Sequence, residues 1–271
     1  MVTRRQAPTP PEVVLRLLRS AGNDAVLIGG QALIFWTFFY GLKIPEAFPT
    51  ISNDSDFLMR APGDREPLDA MAKTLGVKPV YASKSAMSAL VGQAELILSD
   101  EEAIHVDAVF QVIGLDPQSV RDRAQQVELP DPRDLKSGPV QFRVMHQLDL
   151  LRSRLANLYQ LRDKQNAKGE MQLRVAIDVA REFVRAEAKT LSPEELAGRS
   201  RLVVFVSEIE KLARDDAGRK TAERLGIHVA DAIDPSLIPA GPFWEKKWQH
   251  LKPLMSAGYG DQFQAPGESM P

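Results

Sequence analysis

The sequence of 271 residues contains no cysteine. That absence excludes disulfides, thiolate zinc sites and cysteine nucleophiles, and it fits a reducing compartment. Histidine is scarce: His105, His146, His228 and His250 are the only four, and no two have HExxH spacing, which argues against a zinc hydrolase. Charge of neither sign dominates, with Lys+Arg 34 against Asp+Glu 36. There is thus no global basic field of the kind that holds nucleic acid nonspecifically, although a local basic patch is compatible with these counts. Long apolar runs are missing too. The longest, around Ala32 to Phe39, is far short of the ~20 residues that span a bilayer. The opening "MVTRRQAPTPPE" has two Arg but no following apolar segment of signal-peptide length. The expectation is a cytoplasmic protein with no membrane partner.

What is present supports a sizeable core. Hydrophobic residues make up 44%, and the length suits one large domain or two small ones. Pro10-Pro11 opens a helix, "PEVVLRLLRSAG", with Val13, Val14, Leu17 and Leu18 on its apolar stripe and Gly22 at its end. "DAVLIGG" reads as a short buried strand, and "QALIFWTFFYG", apolar nearly all round, as a buried helix with Trp36, Phe38 and Phe39 in the core. "LKIPEAFPTI", with its two Pro, is a loop, and "DSDFLM" is the second strand. "DREPLDAMAKTLG" is a helix capped by Asp64 and stopped by Gly76. In "AIHVDAVFQV" the alternation sets His105, Asp107 and Val109 on one face and Ile104, Val106 and Ala108 on the other.

The fold class expected is α+β: a mixed-sheet domain over 1–115, a connecting region with two or three short elements over 116–145, an all-α domain over 146–256, and a loosely ordered Gly/Pro-rich tail over 257–271. Leu148, Leu151, Leu155, Leu158 and Leu161 supply the helical spacing of the second half, and Leu173, Ile177, Ala180 and Val184 repeat it. Trp244 and Trp248, four apart in "FWEKKWQHLK", seal the helical domain or meet a partner.

Three pieces carry chemistry: Gly29-Gly30 at a strand-to-helix turn, Asp54-x-Asp56 on the next strand, and Asp107 on a later one. Each alone has an ordinary reading, since D-x-D is common in turns and Gly-Gly makes tight turns. Together, on adjacent strands, they would converge three carboxylates, the oxygen donors that hard divalent cations require. Glycines at a helix N-terminus let backbone N–H groups approach phosphate closely.

At "GGQAL", "SNDSDFL" and "HVDAV" the sequence resembles the nucleotidyltransferase superfamily with the DNA polymerase β fold. More narrowly, it is similar to bacterial nucleotidyltransferase-like proteins that include abortive-infection and toxin–antitoxin members. The resemblance covers about residues 25 to 115 in motif and the rest in architecture only. It implies that Asp54, Asp56 and Asp107 are catalytic and bind two Mg²⁺ or Mn²⁺ ions, and that Gly29 and Gly30 hold the triphosphate of an NTP. Ser52 matches the small hydroxyl residue two before the first Asp; its implied role is to contact phosphate or fix the strand end. Helical domains of two-domain members supply cations, which implies phosphate contacts for Arg154 and Lys164; a solvated charged face is the alternative. The implied activity is transfer of an NMP to an acceptor hydroxyl on RNA, a protein or a small molecule. The alternative is a noncatalytic binding protein on the same fold, one half of a toxin–antitoxin pair. Three departures stand out: Gly30 where relatives carry Ser, no Arg near Ser52, and Ser55 in place of an apolar residue between the aspartates.

Overall fold

Strand alternation and glycine punctuation fix most of the first half of the chain. In the computed structural model, residues 4–44, 52–83, 88–130, 138–197, 200–238 and 241–259 are described. The expected tail beyond Tyr259 and most of the proline loop after Ile44 lie outside them. The chain divides into two compact units, Met1–Ser153 and Arg154–Pro271.

The first unit runs β1 (Arg5–Gln6), α1 (Pro11–Ala21), β2 (Val26–Ile28), α2 (Gly29–Phe39), β3 (Ser55–Leu58), α3 (Glu66–Leu75), β4 (Val80–Tyr81), β5 (Leu90–Ile97) and β6 (Glu102–Val109). It continues through α4 (Pro117–Arg123), β7 (Gln125–Leu129), β8 (Val140–Val144) and the start of α5 (Gln147–Gln160). The architecture is α+β on a mixed sheet of eight strands in the order β4-β5-β6-β3-β2-β8-β7, with β1 added beside β6. β3 and β1 run parallel to β6, and β2 runs parallel to β8; the remaining pairs are antiparallel.

Register divides the sheet into two faces. Leu27, Phe57, Ala108 and Gly92 form one row across four strands, and its Leu27, Phe57 and Ala108 are buried. Gly92 is required here, because a Cβ would strike the Leu68 side chain of α3 and the Val80 carbonyl. The neighbouring row, Ile28, Asp56, Asp107 and Gln93, points to the opposite face because side chains alternate along each strand.

The 116–145 stretch holds α4 and two strands, the two or three short elements expected there, and both strands join the same sheet, with β8 beside β2. Three expectations need correction. The start of α5 belongs to the first unit, so the division falls inside a helix, at Ser153/Arg154, and not at residue 146. α3 starts at Glu66 behind Arg65, while the Asp64 carboxylate accepts from the Arg60 N–H and closes the preceding turn. Phe38 and Phe39 are 68% and 59% exposed. A helix apolar on every side cannot turn all of them to one core, and Trp36 takes the buried direction, its indole N–H donating to the Met145 carbonyl at 2.9 Å.

The described residues of the second unit hold the end of α5, then α6 (Ala167–Ala188), α7 (Pro193–Ala197), α8 (Arg201–Arg214), α9 (Asp216–Leu225) and α10 (Pro242–Leu251). Leu173, Ile177, Ala180 and Val184 are buried on α6. Trp244 and Trp248 are buried on α10, and the Trp244 indole donates to the Leu196 carbonyl at 3.0 Å. Among the described residues no helix is long and apolar enough to cross a membrane.

Candidate metal centre

The site is built where β2 hands over to α2. Gly29 opens that helix with φ +69, a conformation that side chains resist, and a Cβ there would overlap the Oδ2 of Asp56. A Cβ on Gly30 would overlap the Cβ and Oγ of Ser52. The two glycines therefore seat the first turn of α2 against the aspartate strand, bringing the positive end of the helix to carboxylates. A side chain at position 30 has no room, because Ser52 already fills that corner.

Asp56 faces Asp107 in register across the parallel β3–β6 pair, and Asp54 lies just before β3. One carboxylate oxygen from each of Asp54, Asp56 and Asp107 lies within 4.8 Å of the others. Ser52 is buried and donates to Asp54 Oδ1 at 2.5 Å, so its hydroxyl is spent on orienting that carboxylate. The segment before β3 is pinned further. Thr9 donates to the Asn53 carbonyl at 2.9 Å, and the Asn53 amide donates to the Gln6 carbonyl at 3.0 Å. Ser55 points to the opposite, core face, where its buried hydroxyl has no hydrogen-bond partner among the described residues.

Asp107 is the electrostatically costly member. Burial raises its pKa above the ordinary carboxylate value; the Gln93 hydrogen bond opposes that, the Asp54 charge adds to it, and His105 opposes it again. Gln93 stands opposite Asp107 on β5 and donates to its Oδ1 at 2.7 Å. The sequence reading missed Gln93. Its only sequence signal is a polar residue inside "LVGQAELI", and nothing local reveals which strand it pairs with. His105 lies two residues from Asp107 on the same face, with both ring nitrogens buried and without hydrogen-bond partners among the described residues.

An all-oxygen donor set of this spacing fits hard divalent cations such as Mg²⁺ or Mn²⁺, and the space left by Gly29 keeps side chains from crowding Asp56. Arg154 and Lys164 belong to the second unit. Arg154 donates to Gln172 Oε1 at 3.3 Å, and Lys164 is half-exposed and paired with Asp163 at 3.4 Å. His146 caps the start of α5, its Nδ1 accepting from the Leu148 N–H at 3.1 Å. Arg123 bridges it to buried Asp149, to which it donates at 3.0 Å. Burial and the Arg123 charge push the His146 pKa down to about 3.

Compared with known proteins, the chain matches no family model and no curated protein.

Proposed function

We propose that the protein is a metal-dependent nucleotidyltransferase, moving an NMP from an NTP to an acceptor hydroxyl with release of pyrophosphate. The observation that carries this reading is the convergence of Asp54, Asp56 and Asp107 within 4.8 Å of one another, beside a helix N-terminus kept free of side chains at Gly29 and Gly30.

In this reaction the acceptor oxygen forms a bond to the α-phosphorus, the bond from that phosphorus to the pyrophosphate oxygen breaks, and the hydroxyl proton is lost to solvent. Divalent ions, when bound, supply the positive charge that stabilises the attacking and leaving oxygens. The chain's own residues have separate tasks. Asp54, Asp56 and Asp107 hold the ions, Ser52 orients Asp54, and Gln93 orients Asp107. The backbone N–H groups at Gly29 and Gly30 receive phosphate oxygens. Arg154 and Lys164 are proposed as cations for the triphosphate. The acceptor class is an RNA end, a protein hydroxyl or a small molecule.

Incubation of the full chain with Mg²⁺ and each labelled NTP in cell lysate tests the reading. Label should appear on one acceptor class and vanish with Asp54→Ala/Asp56→Ala. No label from any NTP, or label undiminished in the double variant, would count against it.

A further inference from the structure

Behind the Gly29–Gly30 turn lies a second cavity, of about 550 Å³, between α1 and α2. Leu15, Leu18, Ile34 and Phe35 wall it, and the exposed rings of Phe38 and Phe39 border it. Its volume falls in the ~300–1,000 Å³ range of small-molecule sites, and its lining has their mostly apolar character. It is distinct from the metal centre. Leu27 contributes to its wall, whereas the triad lies on the face of Ile28 and Asp56, reached by the alternate side chains of β2 and β3.

One side chain in this wall is out of place on packing grounds. Gln31 is only 6% exposed and lines the cavity; no protein group pairs with its amide among the described residues, and the little area that it keeps opens to the cavity. A polar group set in an apolar wall ordinarily takes a hydrogen-bond partner. A glutamine amide offers a donor and an acceptor side by side in one plane. Its natural complement is a group with the reverse pair on one edge.

We infer that this cavity binds a planar, largely apolar ring whose edge carries an adjacent hydrogen-bond donor and acceptor, with Gln31 pairing to that edge and Phe35 packing on the ring. Pyrimidinones, purinones and aromatic carboxamides share this chemistry. Ser52 lines the cavity and also holds Asp54, so the ligand touches a residue that serves the metal centre. The inference is independent of the reaction proposed above.

The test titrates the full-length chain with uracil, UMP, benzamide and toluene, followed by protein NMR and calorimetry. Benzamide and uracil should bind saturably and about tenfold more tightly than toluene, the size of effect expected from one paired amide edge. In Gln31→Leu the preference should invert, toluene gaining and benzamide losing about tenfold, and the variant should melt at a higher temperature than wild type. Ile34→Trp should fill the cavity and abolish binding of all four probes. UMP binding more tightly than uracil assigns the ring to a nucleotide, and weaker binding assigns it to a free ring; both support the class. The inference is overturned if no probe saturates, if Gln31→Leu leaves the benzamide-to-toluene ratio unchanged, or if Gln31→Leu lowers the melting temperature, which would make Gln31 a structural residue.

Discussion

Asp56 stands directly opposite Asp107 across the parallel β3–β6 pair, so two carboxylates share one row of the sheet with a third, Asp54, beside them. Without a cation the arrangement works against folding. Burial is the main reason that Asp107 resists ionisation, and the Asp54 charge adds to it. A carboxyl whose folded pKa is raised contributes its stability below the unfolded pKa and loses it as pH rises through the folded one. At neutral pH the metal-free protein sits on the costly side.

Asp107→Asn should therefore be more stable than wild type in EDTA at neutral pH. The amide still offers an oxygen to Gln93. Millimolar Mg²⁺ or Mn²⁺ should stabilise wild type and leave the variant unmoved. Thermal unfolding of both proteins with and without the ions checks this; equal shifts in the two would place cation binding elsewhere.

Gln93 donates to Asp107 Oδ1, which fixes one oxygen of that carboxylate and thereby the direction of the other. Groups behind a metal ligand commonly change affinity about 10–100-fold when removed. Gln93→Met, which keeps the length and drops the donor, should weaken Mn²⁺ binding about tenfold and lower the stability of the metal-free protein at neutral pH. Calorimetric Mn²⁺ titration beside Asp107→Asn separates the roles. Wild-type affinity in Gln93→Met with none in Asp107→Asn would leave the triad standing and remove Gln93 from it.

How much of this was legible beforehand depends on how local each feature is. The Gly-Gly turn, the alternation around Asp107 and the apolar spacing of α6 are written in neighbouring residues, and those elements formed where expected. Pairing between strands is not local. Nothing near Gln93 announces Asp107, 14 residues away, and the short elements read between residues 116 and 145 carry no sign that two of them join the sheet beside β2. The exposed Phe38 and Phe39 escaped for a different reason: a helix without a polar side carries no signal of which side meets the core. Asp64 had a competing use, since the same carboxylate can close a turn or cap a helix.

The Gly30–Ser52 corner offers a direct test of why Ser is absent from the turn. Gly30→Ser forces a side chain into Ser52 and should destabilise by about 2 kcal/mol, as overpacking does. Ser52→Gly removes the clash along with the hydroxyl on Asp54, at about 1 kcal/mol. The Gly30→Ser/Ser52→Gly exchange should then lie well above the sum of its single variants, with coupling of 1 kcal/mol or more, roughly the range for residues in contact. Urea unfolding of the four proteins in the cycle gives the coupling; additive losses would mean that the two positions do not share the corner.

His146 should make the protein acid-sensitive in a definable window. Its pKa is pushed from 6.5 down to about 3, first by burial and then by Arg123, and its Nδ1 is occupied as an acceptor from Leu148. Between those two values the unfolded chain binds a proton that the folded chain refuses. Stability from this group is fully present above pH 6.5 and drains away as pH falls toward about 3. At about 1.4 kcal/mol per pH unit, lowering pH from 6.5 to 4.5 should cost roughly 2–3 kcal/mol through this residue. Carboxylates titrate over part of the same range, so the comparison that isolates it is His146→Gln, which can still accept the Leu148 N–H but cannot gain a charge. Unfolding free energies from urea curves at several pH values should decline less steeply in the variant, by about 2 kcal/mol over that interval. Parallel declines would show that His146 takes up its proton in the folded state, with Arg123 turning away toward Asp149 to allow it.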